Sequence, residues 1–162
     1  MYVFGHLGIS LLLYAPIAAW YMHADATTTA VLGGVVMLVL APLPDVDEYT
    51  ELLAHRGITH SVWFAGFVGL VLGSVAAIVG SLAPIAADPV LLGVQLGILG
   101  TLAILGHLAG DVITPMGIKP FAPLSEWHYT FEFTYSKEPR ANQLFLGSGL
   151  LATAIAIGVS VI

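Results

Sequence analysis

The residues best suited to chemistry in this sequence are histidines, aspartates and one arginine that lie where long apolar runs begin or end. Imidazole and carboxylate groups bind divalent metals and accept protons, and a guanidinium group pairs with phosphate or carboxylate. A set of this kind is typical of a metal site with an anionic substrate. Its members are His6, Asp45, Asp47, His55, Arg56, His60, His107 and Asp111.

The donor types restrict the metal. The chain has no cysteine, so nitrogen and oxygen must hold any ion, which suits zinc, manganese or iron. His107 and Asp111 are four residues apart and project from one face of a helix. Five or more donors are enough for one or two ions, which lower the pKa of bound water to about 7 and stabilise charge on a phosphoryl or carbonyl oxygen. These residue types therefore predict a hydrolytic reaction.

The polar loop from 45 to 57 contributes two candidate ligands. Asp45 and Asp47 are two residues apart in what we expect to be an extended segment, so they point the same way and either could bind the metal. We favour Asp45, which is nearer the preceding helix. Glu48 and Glu51 are expected only to solvate the loop.

Arg56 follows His55 in the same loop and offers a forked donor that matches phosphate or carboxylate. The alternative is an arginine that binds lipid headgroups or Glu51. We favour the anion-binding role.

The elements that position these residues are predicted to be membrane-spanning helices. Apolar residues make up 58% of the 162 positions and charged residues only 9%, and five apolar stretches approach the roughly 20 residues that a spanning helix needs. The predicted fold is one all-α integral membrane domain, residues 1–162, with five transmembrane helices and a polar metal site at one membrane face. The first helix is expected at about 2–22, and the second runs from a threonine cap at 27–29 to Pro42 and Pro44. The other three are expected at about 58–82, 89–113 and 141–162. A turn at 83–89 separates the third helix from the fourth, which Asp88 caps and Pro89 opens.

Five helices place the polar residues together. The start of the first and third helices and the end of the second and fourth lie on one side of the membrane, where all the candidate residues fall. Ionisable groups inside a membrane are costly, so a shared site explains the gathering better than separate packing histidines. All four Lys and Arg residues occur in the two loops on this side, which predicts a cytoplasmic N-terminus and site and an external C-terminus. His23 lies alone on the other side and is expected at the surface.

The stretch from Trp127 to Tyr135 alternates aromatic and polar residues, which predicts a strand or hairpin at the membrane interface. It is either an anchoring belt or a lid over the site. Whether His128 and Glu132, on its polar face, join the site stays open.

Four segments carry a resemblance: Gly5-His6-Leu7, Leu43 to Asp47, His55-Arg56-Gly57-Ile58-Thr59-His60-Ser61, and Gly106 to Gly117. Together they resemble the signature of the YdjM family, inner-membrane proteins described as LexA-regulated metal-dependent hydrolases. The resemblance implies metal ligation by His6, Asp45, His60, His107 and Asp111. More distantly, the order of these groups is similar to zinc-dependent phospholipase C, which implies hydrolysis of a phosphoester, with a lipid as a candidate substrate.

The predicted function is a multi-pass plasma-membrane hydrolase that cleaves a phosphoester or related bond in a lipid or lipid-linked substrate. Zinc is the favoured ion, with manganese or iron as alternatives. Arg56 would bind the anionic group, and His55 or Asp47 would act as general base or complete the coordination. A metal-ion or proton transporter and a non-catalytic scaffold with a structural metal are the rival functions. The bilayer and the substrate are the expected partners, and nucleic acid is not.

Overall fold

A computed structural model describes residues 1–49, 54–83 and 88–160. This part of the chain is all-helical and contains five helices long and apolar enough to span a membrane, as predicted. Glu51, the proline at 84 and the last two positions of the predicted fifth helix lie outside the described residues. The helices are α1 (Val3–His23), α2 (Thr27–Leu40), α3 (Val62–Leu82), α4 (Pro89–Val112) and α5 (Pro139–Ser160).

The second span is an α-helix that continues as a tighter helix. The α-helical part, α2, has only 14 residues and ends just before Pro42 and Pro44, which lack the backbone N–H that the α-helical ladder needs. A 3-10 helix follows at Leu43–Tyr49. The two together form a span of 23 residues.

The structure corrects two of the predicted helix starts and confirms a third. Ala26, and not a threonine, is the N-cap of α2, so the expected threonine cap is wrong. The third helix does not begin at residue 58: a short 3-10 helix occupies Ile58–His60, and α3 starts after Ser61, whose Oγ accepts a hydrogen bond from the Phe64 amide. For α4 the prediction is confirmed, because Asp88 caps the helix and Pro89 opens it.

The expected strand between Trp127 and Tyr135 is wrong. The described residues form only one antiparallel bridge there, between Ile118 and Tyr129. The amides of Phe131 and Phe133 instead donate to the carbonyls of residues 112 and 113 at the end of α4, 2.8 Å away in each case. The alternating segment therefore satisfies the unpaired carbonyls of a helix end and has no partner strand within the described part of the chain.

The helices pack chiefly as two pairs, α1 with α5 and α3 with α4, and α2 packs against both α1 and α4. Glycines allow the close approach within each pair. Gly73 and Gly93 face each other, and a Cβ on either would lie within 2.7 Å of the other's carbonyl oxygen. Gly110 lies against the His6 ring. Small residues thus bring α1, α3 and α4 close enough for their polar side chains to meet.

The contact between α1 and α5 yields a paired prediction. A Cβ on Gly149 would overlap the backbone of Gly8, whereas a Cβ on Gly147, two residues away, meets nothing within 4 Å. Alanine otherwise stabilises a helix by about 1 kcal/mol relative to glycine. We therefore expect Gly149→Ala to lower the melting temperature of the protein in detergent and Gly147→Ala to leave it unchanged or raise it. Equal melting temperatures for the two variants would contradict this helix pairing.

Candidate metal centre

Four side chains from three parts of the chain converge at one end of the helix bundle. Asp45 comes from the 3-10 helix after α2, His60 from the 3-10 helix before α3, and His107 and Asp111 from successive turns of α4. One nitrogen or oxygen of each can be chosen so that all lie within 4.8 Å of one another. Asp45 is 18% exposed, and the other three side chains are buried. We call these four residues the metal centre.

Most of the distances among the four atoms are close to those around a tetrahedral ion. The Nε2 atoms of His60 and His107 lie 3.2 Å apart. Oδ1 of Asp45 lies 3.5 Å from the first nitrogen and 3.3 Å from the second, and Oδ2 of Asp111 lies 3.3 Å from each. Ligands about 2.0–2.1 Å from a tetrahedral zinc are separated from one another by about 3.3 Å. Each carboxylate oxygen therefore stands at a suitable distance from both imidazoles for one such ion.

Hydrogen bonds behind the two imidazoles fix their orientation. Nδ1 of His107 lies 2.7 Å from the Ala41 carbonyl oxygen, which can only accept, so this nitrogen carries the proton. Nδ1 of His60 lies 3.1 Å from the Thr59 hydroxyl oxygen. Because this hydroxyl donates its own proton to Oδ2 of Asp47, it accepts one from Nδ1. Both Nε2 atoms then present lone pairs to the centre, which is the arrangement that metal-binding histidines adopt.

The centre concentrates negative charge and lone pairs away from water. Oδ2 of Asp111 is buried and has no hydrogen-bond partner among the described residues, which is costly unless a cation compensates. Burial alone lowers the pKa of His60, but contacts with the Asp111 and Asp45 carboxylates raise it to about 9. Without a metal the site therefore retains a proton, and a binding metal ion must displace it. The residues present fit a divalent cation.

His6, also predicted as a ligand, lies beside the metal centre and not among its four residues. Its ring stacks on His107 with centroids 3.6 Å apart, and its Nε2 lies 3.6 Å from Oδ1 of Asp111. Both ring nitrogens are buried without a hydrogen-bond partner in the described residues. Ligation by His6 stays a prediction.

Arg56 contacts Oδ1 of Asp111, whereas Oδ2 of the same carboxylate faces the imidazoles of His60 and His107. Its Nη2 donates to Oδ1 of Asp111 at 2.7 Å, and its Nη1 donates to the Gly117 carbonyl at 2.8 Å. The amino group of Met1 also lies 2.5 Å from this Oδ1. The predicted anion-binding arginine thus stands beside the metal centre, with its guanidinium group already oriented.

Asp47 organises the residues behind the centre. It accepts hydrogen bonds from Nδ1 of His55 at 3.0 Å, from the Arg56 amide at 2.9 Å and from the Thr59 hydroxyl at 2.7 Å. Arg56 has a φ of 56°, an unusual backbone conformation for a residue other than glycine, and the amide contact to Asp47 stabilises it. The expectation that Asp45 and Asp47 point the same way is wrong: in a 3-10 helix, residues two apart project in different directions, and Asp47 faces Nδ1 of His60 while Asp45 faces its Nε2.

A cavity of about 640 Å³ adjoins the metal centre. Asp45 connects the two, since it belongs to the centre and also lines the cavity. The other lining residues are Met1, Tyr2, Val3, Glu48, His55, Arg56, Pro115, Met116, Tyr135, Ser136 and Lys137.

Neither His128 nor Glu132 joins the metal centre. His128 is exposed, and its Nε2 donates to the Met116 carbonyl at 2.8 Å; Glu132 is exposed with a φ of 52°. The aromatic side chains at 127, 129, 131 and 133 are exposed and do not line the cavity, whereas Tyr135 does. This placement favours the anchoring belt over the lid.

Comparison of the sequence with models of protein families gives one match, to the family described as YdjM inner membrane protein, over residues 1–162. The chain belongs to this family. No curated protein and no solved structure matches it, and nothing in these comparisons supports the distant resemblance to phospholipase C. The family places the chain in the inner membrane, in agreement with the five apolar helices.

The segments that indicated the YdjM family meet at the metal centre. The Leu43–Asp47 and His55–Ser61 segments supply one ligand candidate each, and Gly106–Gly117 supplies two. Sequence reasoning missed the supporting contacts of Thr59 and of the Ala41 carbonyl, because neither residue type signals a metal site. It also missed that Lys137 lines the cavity. The position of Lys137 just before α5, at the same end of the bundle, was the one signal available in the sequence.

Removal of one ligand candidate should abolish metal binding. We expect His107→Ala to reduce the metal content of the purified protein to background, since two carboxylates and one imidazole then remain around a void. His23→Ala, a surface histidine on the same polypeptide, is the matched control and should retain the metal. Elemental analysis of both proteins is the measurement, and full metal content in His107→Ala would refute the proposed centre.

Asp47 should affect metal affinity less than Asp45 does. Loss of an orienting carboxylate behind a histidine ligand typically weakens metal binding about 10–100-fold, so we expect that decrease for Asp47→Asn. Asp45→Asn removes a charged ligand candidate and should weaken binding further. Competition against a chelator measures both affinities. An Asp47→Asn defect as large as that of Asp45→Asn would mean that Asp47 itself binds the ion.

Proposed function

We propose that this YdjM family member is a membrane-bound hydrolase that uses one divalent ion, with zinc favoured, to cleave a phosphoester or related bond in a lipid or lipid-linked substrate. One observation carries the proposal: four donor atoms within 4.8 Å of one another adjoin, through Asp45, a cavity lined by Arg56 and Lys137. A buried donor set beside a polar cavity is the usual arrangement of a metal-dependent active site.

The donor set supports zinc, and manganese or iron would also suit two imidazoles and two carboxylates. Asp45, His60, His107 and Asp111 would hold the ion, which supplies activation of a water molecule and stabilisation of charge on a phosphoryl oxygen. We infer one ion and not two, because Arg56 already neutralises the second oxygen of Asp111.

His55 is the better candidate for the general base of the two residues predicted for that role. Its side chain is 41% exposed and lines the cavity, so its Nε2 can accept a proton from water. Asp47 holds the Nδ1 proton on the other side of the ring, which orients the imidazole. Asp47 then acts as a positioning residue. Arg56 would bind the phosphate oxygens with its guanidinium group.

A non-catalytic metal is the second candidate function. Four protein ligands would complete a tetrahedral shell, as in structural zinc sites, whereas catalytic zinc usually keeps one position for water or substrate. The exposure of Asp45 to the cavity favours catalysis, since this ligand can move or the coordination can expand. Transport has less support: in the described residues the opposite half of the bundle is packed with apolar side chains and two tyrosines around Met37.

Replacement of the proposed base should remove turnover without loss of metal. For His55→Gln we expect a fall in kcat of about 10²–10⁴-fold, with the metal content unchanged, measured as product release from phosphoester lipids in mixed micelles. His128→Gln, an exposed histidine outside the cavity, is the control and should retain full activity. If the metal-loaded wild-type protein released no product from any phosphoester lipid, the structural-metal function would replace the hydrolase.

We also propose that the N-terminus and the metal centre face the cytoplasm and that the C-terminus is external. Three of the four basic residues lie in loops on the side of the metal centre, and Arg140 lies in the first turn of α5. Basic residues of this kind mark the cytoplasmic side by the positive-inside rule. Because the chain has no cysteine, single cysteines report the topology directly. We expect a membrane-impermeant maleimide to label Ala24→Cys in intact spheroplasts and to label Leu124→Cys only after lysis. The reverse pattern would invert the orientation.

A further inference from the structure

We propose that the substrate is a lipid whose headgroup ends in a phosphate or diphosphate, and that Lys137 selects it by binding this terminal anion. The inference rests on the proposed hydrolase function and names its substrate class. It follows from the size of the cavity, from the cations in its wall and from the apolar residues at its rim.

The cavity is larger than a phosphate ion requires. Its volume of about 640 Å³ lies within the range of about 300–1,000 Å³ that is usual for sites of small organic ligands. It can therefore hold a headgroup of more than one phosphate, or one phosphate together with the first atoms of a lipid chain. The metal centre lies at one wall, so only one end of such a group reaches Asp45.

Two cationic side chains line this cavity. Arg56 is 10% exposed, its Nε has no hydrogen-bond partner among the described residues, and its terminal nitrogens are held by Asp111 and a backbone carbonyl. Lys137 is exposed and forms no ion pair with the described residues. Glu48, the acidic residue of the same wall apart from Asp45, has its carboxylate 3.7 Å from Nε2 of His55. Lys137 is therefore a cation of the cavity wall that is free to pair with a headgroup anion, and a terminal phosphate offers it more charge than a phosphodiester does.

The rim of the cavity is apolar and coincides with the membrane edge. Tyr2 and Val3, at the start of the α1 span, are about half exposed and line the cavity. Phe4, next along the helix, is 62% exposed, as expected for a side chain that faces lipid. Met116 and Tyr135 extend the apolar lining on the other side. A lipid can thus keep its chains in the bilayer while its headgroup enters the cavity.

The reaction balances for a lipid phosphate monoester. The oxygen of water forms a bond to phosphorus, and the bond between phosphorus and the lipid oxygen breaks. The water proton passes to Nε2 of His55 and from there to the lipid oxygen. The products are a lipid alcohol and inorganic phosphate. With a lipid diphosphate, water attacks the terminal phosphorus, the bond from this phosphorus to the bridging oxygen breaks, the proton passes to that oxygen, and the products are inorganic phosphate and a lipid monophosphate.

Lys137→Gln tests the inference, with Lys119→Gln as the matched control. Lys119 pairs with Glu126 at the surface and does not line the cavity. Binding is measured with the metal-loaded protein and a non-hydrolysable lipid phosphonate whose terminal group carries two acidic oxygens, beside a phosphocholine lipid of the same chains. Turnover of lipid phosphate, lipid diphosphate and phosphatidylcholine is measured in parallel.

We expect Lys137→Gln to weaken phosphonate binding and to raise KM for the lipid phosphates about tenfold, the effect of one charge-assisted hydrogen bond, with little change in kcat. Lys119→Gln should match the wild type. Hydrolysis of phosphatidylcholine as fast as of lipid phosphates, or phosphonate binding that ignores Lys137, would overturn the substrate assignment and leave the hydrolase function intact. Lysine-dependent phosphonate binding without turnover of any lipid would support the anion site and refute the hydrolase.

Discussion

Four acceptor atoms that point at one another repel unless a positive charge lies between them, and the rest of this structure depends on that requirement. The hydrogen bonds that Nδ1 of His60 and of His107 donate to the Thr59 hydroxyl and the Ala41 carbonyl direct both Nε2 lone pairs inward, and two carboxylates approach from the other sides. In a buried place the repulsion is poorly screened, so the arrangement is costly without a cation. A divalent ion converts the same geometry into a tightly bound site.

Close packing of the helices brings these atoms together. Glycine contacts draw α3 to α4 and α1 to α5, and the early end of the α-helical ladder at Pro42 leads the chain into the 3-10 helix that carries Asp45. Asp47 links the two sides of the site. It holds the Thr59 hydroxyl that contacts Nδ1 of His60, and it also stabilises the backbone from which Arg56 reaches Asp111. His60 and Arg56 are therefore positioned by one carboxylate.

Much of this could be predicted from the sequence because membranes restrict the possible structures. Apolar length defines a spanning helix, and the alternation of helix ends places His60, His107 and Asp111 on one side whatever the details of packing. The spacing of the last two residues then defines a shared helical face. The predictions that failed depended on local backbone geometry. The different directions of Asp45 and Asp47 follow from a 3-10 helix that no pattern in the sequence predicts. The aromatic segment around Phe131 pairs with a helix end, a long-range partner that periodicity cannot reveal.

X-ray absorption at the zinc edge of the detergent-purified, metal-loaded protein tests the metal centre most directly. We predict a shell of nitrogen and oxygen ligands at about 2.0–2.1 Å, with scattering from two imidazoles that falls to one in the His60→Ala variant. A shell without imidazole scattering, or a spectrum that His60→Ala leaves unchanged, would contradict the metal centre. A second metal at about 3.5–4 Å would contradict the single ion.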